Sequence, residues 1–332
     1  MSKRFLAAAC AAATALALSA CSSAPSSEGN ASKDGTLTVM ASFYPLQYLA
    51  EKIGGEHVTV TSLTPAGAEP HDLELSPKTV DALASADAVV YLAGFQAAVD
   101  EAIEQQAPTT VIDVSPAVEL VEANSSANHP SEDEDADEAQ SGESTTEEHA
   151  DHDHEGHHHD MSADPHFWLD PVRMASAATL VGDKLAEADP ANADTYKANA
   201  QALNEELSAL GGDLVAKTAT CQIKTFVTAH TAFGYLADRT GLTQVGISGL
   251  DPDSSPSPAR LAEIGQIAKE QGVTTIFTEA LIDPKVAQTL ADDLGISTAV
   301  LDPIESQTDS SKDYAAVMKD NINALATANN CQ

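Results

Sequence analysis

Three histidines stand singly among prolines, acids and small residues, in settings that suit holding a metal ion. His71 lies in Glu69-Pro70-His71-Asp72-Leu73-Glu74-Leu75-Ser76-Pro77, and His166 in Asp164-Pro165-His166-Phe167-Trp168-Leu169-Asp170-Pro171. His230 lies in Thr228-Ala229-His230-Thr231-Ala232-Phe233-Gly234-Tyr235-Leu236. The second stretch contains the only tryptophan and is framed by two Asp-Pro steps, a stiff and partly apolar setting that can fix one imidazole. Just upstream, His149, His152, His154, His157, His158 and His159 sit in an acidic tract with no large apolar residue to order them. That tract reads as a metal-attracting tether, whereas His166 reads as part of a built site. Neutral imidazole suits zinc, and three imidazoles with one carboxylate make a usual tetrahedral set.

In open parallel sheets, ligands bind beyond the carboxyl ends of the strands. His71 lies in the loop after a predicted strand His57–Leu63, and His230 directly follows Lys224–Ala229. Glu279 follows Val273–Thr278, and Asp302 follows Ile296–Leu301. Such placement aims all of them, with His166, at one cleft between two halves of the chain. Each has a plainer role open to it. A loop imidazole is commonly solvated, Asp302 before Pro303 suits a helix N-cap, and Glu279 can orient an imidazole from behind. His57, at a strand start, reads as structural.

The elements that position these residues alternate. Thr36–Ala41, His57–Leu63, Asp87–Ala93 and Thr109–Val114 read as strands, with helices over Pro45–Ile53, Pro77–Ala84 and Gln96–Gln106 between them. From His129 to Ser162 no periodicity survives, and the low-complexity composition predicts a disordered insertion. Two helical segments follow Pro171. The second is marked by Asp189 as N-cap and Pro190 at the first position, carries Tyr196, Leu203, Leu207 and Leu210 on one face, and has Gly211-Gly212 as an end or break. The strand–helix rhythm then resumes, with a strand at Thr243–Ile247 and helices over Ala232–Arg239, Pro258–Gln271, Pro284–Leu294 and Lys312–Ala326. The expected fold is α/β: two parallel-sheet lobes, 36–172 and 220–332, joined by helices over 173–219.

Composition narrows the function. The formal net charge is −35, and residues 129–160 hold 13 acids without a lysine or arginine. Nucleic acid is excluded as a partner, because phosphate binding needs clustered cations. Lys3 and Arg4 precede an apolar run, Phe5–Leu18, that is shorter than the roughly 20 residues of a membrane span. Leu18-Ser19-Ala20-Cys21 then resembles a bacterial lipoprotein signal: residues 1–20 removed, Cys21 lipidated, and 21–35 a flexible tether. Cys10 leaves with the signal. Cys221 and Cys331 remain, most simply as a disulfide in an exported protein; a thiolate metal site would need further soft ligands, and no C-x-x-C is present.

The three histidine motifs, in this order, resemble the ligand motifs of the zinc-binding solute-binding lipoproteins of bacterial ABC transporters. That metal-binding cluster also contains manganese-binding, adhesin-like lipoproteins. The likeness runs from about Thr36 to Cys331, interrupted by the His/acid loop. It implies two α/β lobes joined by a long rigid helix, with the metal between them. It also implies Zn2+ delivery to a membrane permease and its ATPase by a monomer lipid-anchored outside the cell membrane, with no chemical step. Carried over, His71, His166 and His230 become ligands. For the fourth position Leu301-Asp302-Pro303-Ile304-Glu305 offers Asp302, favoured as nearest the strand end, or Glu305. Manganese-type relatives usually carry Glu at the third position, so His230 favours zinc. The absence of H-E-x-x-H argues against a zinc hydrolase. A manganese-binding protein, a metal-dependent adhesin and a zinc-buffering surface lipoprotein stay open as alternatives.

Overall fold

The computed structural model describes residues 36–122 and 163–332. The expected signal peptide, tether, Cys21 lipidation and loop 129–162, with its six clustered histidines, lie outside the described residues.

Two four-stranded parallel sheets form, each with the same strand order. In the first, β1 (Leu37–Ala41), β2 (Val58–Ser62), β3 (Ala88–Tyr91) and β4 (Val111–Asp113) stand in the order β2-β1-β3-β4. In the second, β5 (Thr225–Thr228), β6 (Thr243–Gly246), β7 (Thr275–Thr278) and β8 (Ser297–Val300) stand as β6-β5-β7-β8. Parallel neighbours need crossovers. These are α1 (Tyr44–Gly54), α2 (Pro77–Leu83) and α3 (Ala97–Gln106) in the first lobe, and α7 (Gly234–Thr240), α8 (Pro258–Glu270) and α9 (Lys285–Leu294) in the second. A short turn of helix, α4 (Ser115–Val118), follows β4, and α10 (Tyr314–Ala328) closes the second lobe. Among the described residues no helix is long and apolar enough to cross a membrane.

Between the lobes run α5 (Pro171–Ala188) and α6 (Ala193–Thr218). Two local expectations are corrected here. Asp189 does not begin the second helix; it is the C-cap of α5, and its carboxylate accepts from Asn192 Nδ2 at 2.7 Å and the Tyr196 hydroxyl at 2.9 Å. Asn192 is the N-cap of α6 instead. Nor does Gly211-Gly212 end the helix, because packing sets the residue there: a Cβ on Gly211 would come within 2.7 Å of Val172 Cγ2 on α5. Helix α6 packs on α5 and α1 and also on α10 and α7 of the second lobe. One apolar cluster therefore runs from Phe43 and Leu46 through Trp168, Leu207 and Leu214 to Tyr314 and Met318, spanning both lobes. A continuous apolar junction of this kind resists the relative lobe motion that a polar interface permits.

An ionic tie reinforces the junction, and a disulfide closes the second lobe on itself. A disulfide joins Cys221 to Cys331 across 110 residues, a closure worth about 4–5 kcal/mol on the chain-entropy model. Asp170, buried at the start of α5, caps Val172 N–H at 2.9 Å and takes the Arg239 guanidinium of α7 through both carboxylate oxygens. Arg239→Ala removes the bidentate partner and leaves that buried carboxylate with only Val172 N–H and the more distant Arg173 guanidinium at 3.6 Å. Because the arginine is itself a third exposed, the expected loss is about 2–3 kcal/mol, below the full range for a buried pair. Urea unfolding measures it, and a loss under about 0.5 kcal/mol, ordinary for a surface change, would dismiss the tie.

Candidate metal centre

The carboxyl ends of the strands of both sheets face the junction, and the side chains converge there. The β2–α2 loop brings His71. The Asp164–Leu169 stretch, ending in a single 3-10 turn (Phe167–Leu169), brings His166. His230 directly follows β5, beyond Thr228 and Ala229, and Glu305 arrives from the loop after β8. One donor atom from each of these four lies within 4.8 Å of every other. Glu305 Oε1 is 3.4 Å from His71 Nε2, 3.2 Å from His166 Nε2 and 3.4 Å from His230 Nε2. His71 Nε2 and His166 Nε2 are 3.3 Å apart. A tetrahedron with metal–ligand distances of about 2.0–2.1 Å has edges of about 3.3–3.4 Å. Four of the six edges of a zinc shell are thus in place.

Two donors also lack any other use. Glu305 Oε1 and His230 Nε2 are buried without an aligned hydrogen-bond partner, a costly arrangement unless something between them is bound. Such a shell, three imidazoles and one carboxylate, fits Zn2+ in chemistry as well as in size.

The structure corrects the favoured fourth position. Asp302 turns away, its Oδ1 accepting from Ile304 N–H at 2.8 Å, while Asn321 bonds its main chain. Glu305 occupies the place because the chain reverses at Ile304, which is buried with φ of 57°. A β-branched residue adopts that conformation only at a cost in strain. The turn is held by Trp168 Nε1, which donates to Pro303 O at 2.7 Å, and by the Asp302 cap.

Behind the donors stand two buried carboxylates. Glu279 Oε2 accepts from His230 Nδ1 at 2.7 Å, and Asp164 Oδ1 from His166 Nδ1 at 2.8 Å. Each fixes the ring so that Nε2 faces the cleft. Glu279 was a candidate from its strand-end position. Asp164 was visible only as part of its motif, two residues before the imidazole it holds. Two buried glutamines carried no signal at all. Gln96 Nε2 donates to Pro70 O, next to His71, at 3.1 Å, and Gln244 Nε2 to His230 O at 3.0 Å, so each lobe steadies its own histidine from the main chain.

Electrostatics follow from burial and these contacts. Burial alone would raise Glu305, but the three surrounding imidazoles hold it well below the usual carboxylate range. Burial would lower His230, yet Glu279 and then Glu305 lift it well above 6.5; Asp164 and Glu305 likewise lift His166. For His71 burial wins and its pKa is lowered. Burial, then repulsion from Glu305, pushes Glu69 up to about 7. Replacing Glu279 by Gln keeps the shape but removes the charge behind His230. Zinc affinity should fall about 10–100-fold, the usual cost of such a change; an unchanged affinity in chelator competition would deny Glu279 that role.

With this geometry established, comparison with known proteins is informative. The family model for the zinc-uptake complex component A, periplasmic (ZnuA), matches residues 39–328. The high-affinity zinc uptake system protein ZnuA of Bacillus subtilis is 34% identical over 317 residues, 93% of each chain. The zinc-binding protein AdcA of Streptococcus pyogenes is 33% identical over 307 residues, 88% of this chain but 56% of that one, so the chain spans about half the length of this relative. The Zn(II)-bound ZnuA-like domain of Streptococcus pneumoniae AdcA superposes with a TM-score of 0.69 at 29% identity, over 89% of this chain and 99% of that domain. Sequence, fold and the matched stretch agree, and this chain belongs to the ZnuA family of zinc-uptake complex components.

Proposed function

We propose that the protein captures Zn2+ outside the cell membrane and delivers it to an ABC permease powered by its ATPase. The reading is supported above all by one observation: Glu305 Oε1 stands 3.2–3.4 Å from Nε2 of each of His71, His166 and His230, the edge length of a zinc shell. In this reading those four are the ligands, with Asp164 and Glu279 orienting two of the rings. A full set of four protein donors leaves no open position for a metal-bound nucleophile, which suits carriage rather than hydrolysis. The protein acts as a monomer tethered by lipid on Cys21, and the His/acid segment gathers zinc weakly near the cleft. Imidazole at position 230, where a harder oxygen would favour manganese, selects zinc.

Competitive Zn2+ and Mn2+ titration of the chain, with and without residues 129–160, tests this. One tight zinc equivalent should survive the deletion, outcompete manganese, and disappear in His166→Ala, while several weaker equivalents go with the segment. Only weak, multiple binding that vanishes with the segment would sink the proposal and leave a metal-sequestering lipoprotein.

A further inference from the structure

His166 takes its orientation from Asp164, so whatever places Asp164 also places the ring. One carboxylate oxygen, Oδ1, accepts from the main-chain N–H of His166 at 2.9 Å and from its Nδ1 at 2.8 Å. The other, Oδ2, is buried and has no hydrogen-bond partner among the described residues. Pro165, which follows, has no N–H to donate. The side chain steers the imidazole, and the main chain must hold the side chain.

That main chain belongs to a short antiparallel contact. Glu122 pairs with Ala163, and at the next step Val121 faces Asp164. Facing residues at such a step exchange two hydrogen bonds. Here one is direct: Asp164 N–H donates to Val121 O at 2.9 Å. The second runs through a side chain of the other lobe. Val121 N–H donates to the Tyr235 hydroxyl at 3.0 Å, and that hydroxyl donates to Asp164 O at 2.7 Å. Three hydrogen bonds thus close a ring, one member of which comes from α7. Tyr235 is buried, and its own ring lies 4.8 Å from the Arg173 guanidinium. Arg173 also donates to the carbonyls of Val118 and Glu119, so one arginine steadies both the tyrosine and the chain leading to Val121.

We infer that Tyr235 is a positioning residue of the metal site: its hydroxyl, reaching from the second lobe, fixes Asp164 and through it the His166 ring. Tyr235 lies in the first turn of α7, close behind His230 in the chain. One short segment of the second lobe therefore presents one ligand itself and sets the place of another. Phenylalanine would fill the same space but could not bridge. Val121 N–H and Asp164 O would face each other across the room the hydroxyl takes, and a buried polar group without a partner is costly. Asp164 would shift to recover a bond and carry His166 with it. The assignment rests on the zinc reading of the site given above.

Chelator competition with Zn2+ and imidazole NMR, both on the full chain, test it. Tyr235→Phe should weaken zinc binding about tenfold, the lower end of what disturbing a ligand's support costs. In the zinc complex of that variant the Nδ1–H proton of His166 should exchange with solvent about tenfold faster, while that of His230 keeps its rate. Asp164→Ala removes the group through which the hydroxyl acts. The double variant, Asp164→Ala with Tyr235→Phe, should therefore bind zinc within about twofold of Asp164→Ala alone. Arg239→Ala is the control on the same helix. It bonds Asp170 and not Asp164, so it should lose stability yet hold zinc within about threefold. Unchanged affinity in Tyr235→Phe, fully additive losses in the double variant, or equally faster exchange at both histidines would overturn the assignment. So would a larger affinity loss in Arg239→Ala than in Tyr235→Phe, because binding would then follow stability. Zinc binding that even His166→Ala leaves unchanged overturns the zinc site itself, a separate and recognisable result.

Discussion

Glu305→Ala should weaken zinc binding by about 100–1000-fold, whereas Asp302→Asn should leave it within about threefold. Structural zinc sites bind with about 10–16 kcal/mol, so one of four donors carries roughly 2.5–4 kcal/mol, and each 1.4 kcal/mol is tenfold. Glu305 Oε1 lies within 3.4 Å of all three imidazole donors. Asp302 spends its Oδ1 on the Ile304 main chain, a role that asparagine's oxygen also fills. The pair of variants separates ligand from turn-maker. Competition against a zinc-selective fluorescent chelator reads both, and a larger loss in Asp302→Asn than in Glu305→Ala would reverse the assignment.

The second large effect is the dependence on pH. Zinc needs the lone pair that a proton occupies, so metal binding releases whatever protons the empty site holds. Free histidine titrates near 6.5. Here the carboxylates behind and between the rings raise His166, and raise His230 well above 6.5, so the zinc-free site still holds protons above that pH. The sign follows: the zinc-free protein binds more protons than the complex, and affinity falls as pH falls. The dependence therefore extends above pH 6.5 instead of levelling off there. While one imidazole titrates the slope is about tenfold per pH unit, and about hundredfold where two do. Calorimetry at pH 7.5 in buffers of different ionisation enthalpy should show at least half a proton released per zinc. Buffer-independent heats, with affinity flat from pH 6.5 to 8, would contradict the raised values.

Much of this arrangement is legible in the chain. The alternation of short apolar strands with helices carries the two-lobed α/β fold, and nearly all strand and helix limits fall within two residues of the pattern. Placing His71 and His230 after strands locates them on the correct side of their sheets without any knowledge of the packing. What sequence patterns misread is local and has local causes. Asp189-Pro190 has the look of a helix start, but the carboxylate is claimed by Tyr196 and Asn192, so the pattern marks a helix end. Gly211 looks like a breaker because a glycine's reason for being there, contact with Val172 on a neighbouring helix, is tertiary. Glu305 was the second choice because nothing in Pro303-Ile304-Glu305 announces a positive φ at an isoleucine. The glutamine supports were invisible for the same reason: Gln244 meets His230 O only when β6 lies beside β5.

Zinc K-edge X-ray absorption on the one-equivalent zinc complex tests the central claim most directly. Four light-atom neighbours at about 2.0–2.1 Å are predicted, three of them with imidazole scattering, and no sulfur. The spectrum should change in both His166→Ala and Glu305→Ala. An oxygen-rich six-coordinate shell, or a spectrum that neither substitution alters, would place the ion elsewhere and contradict the account.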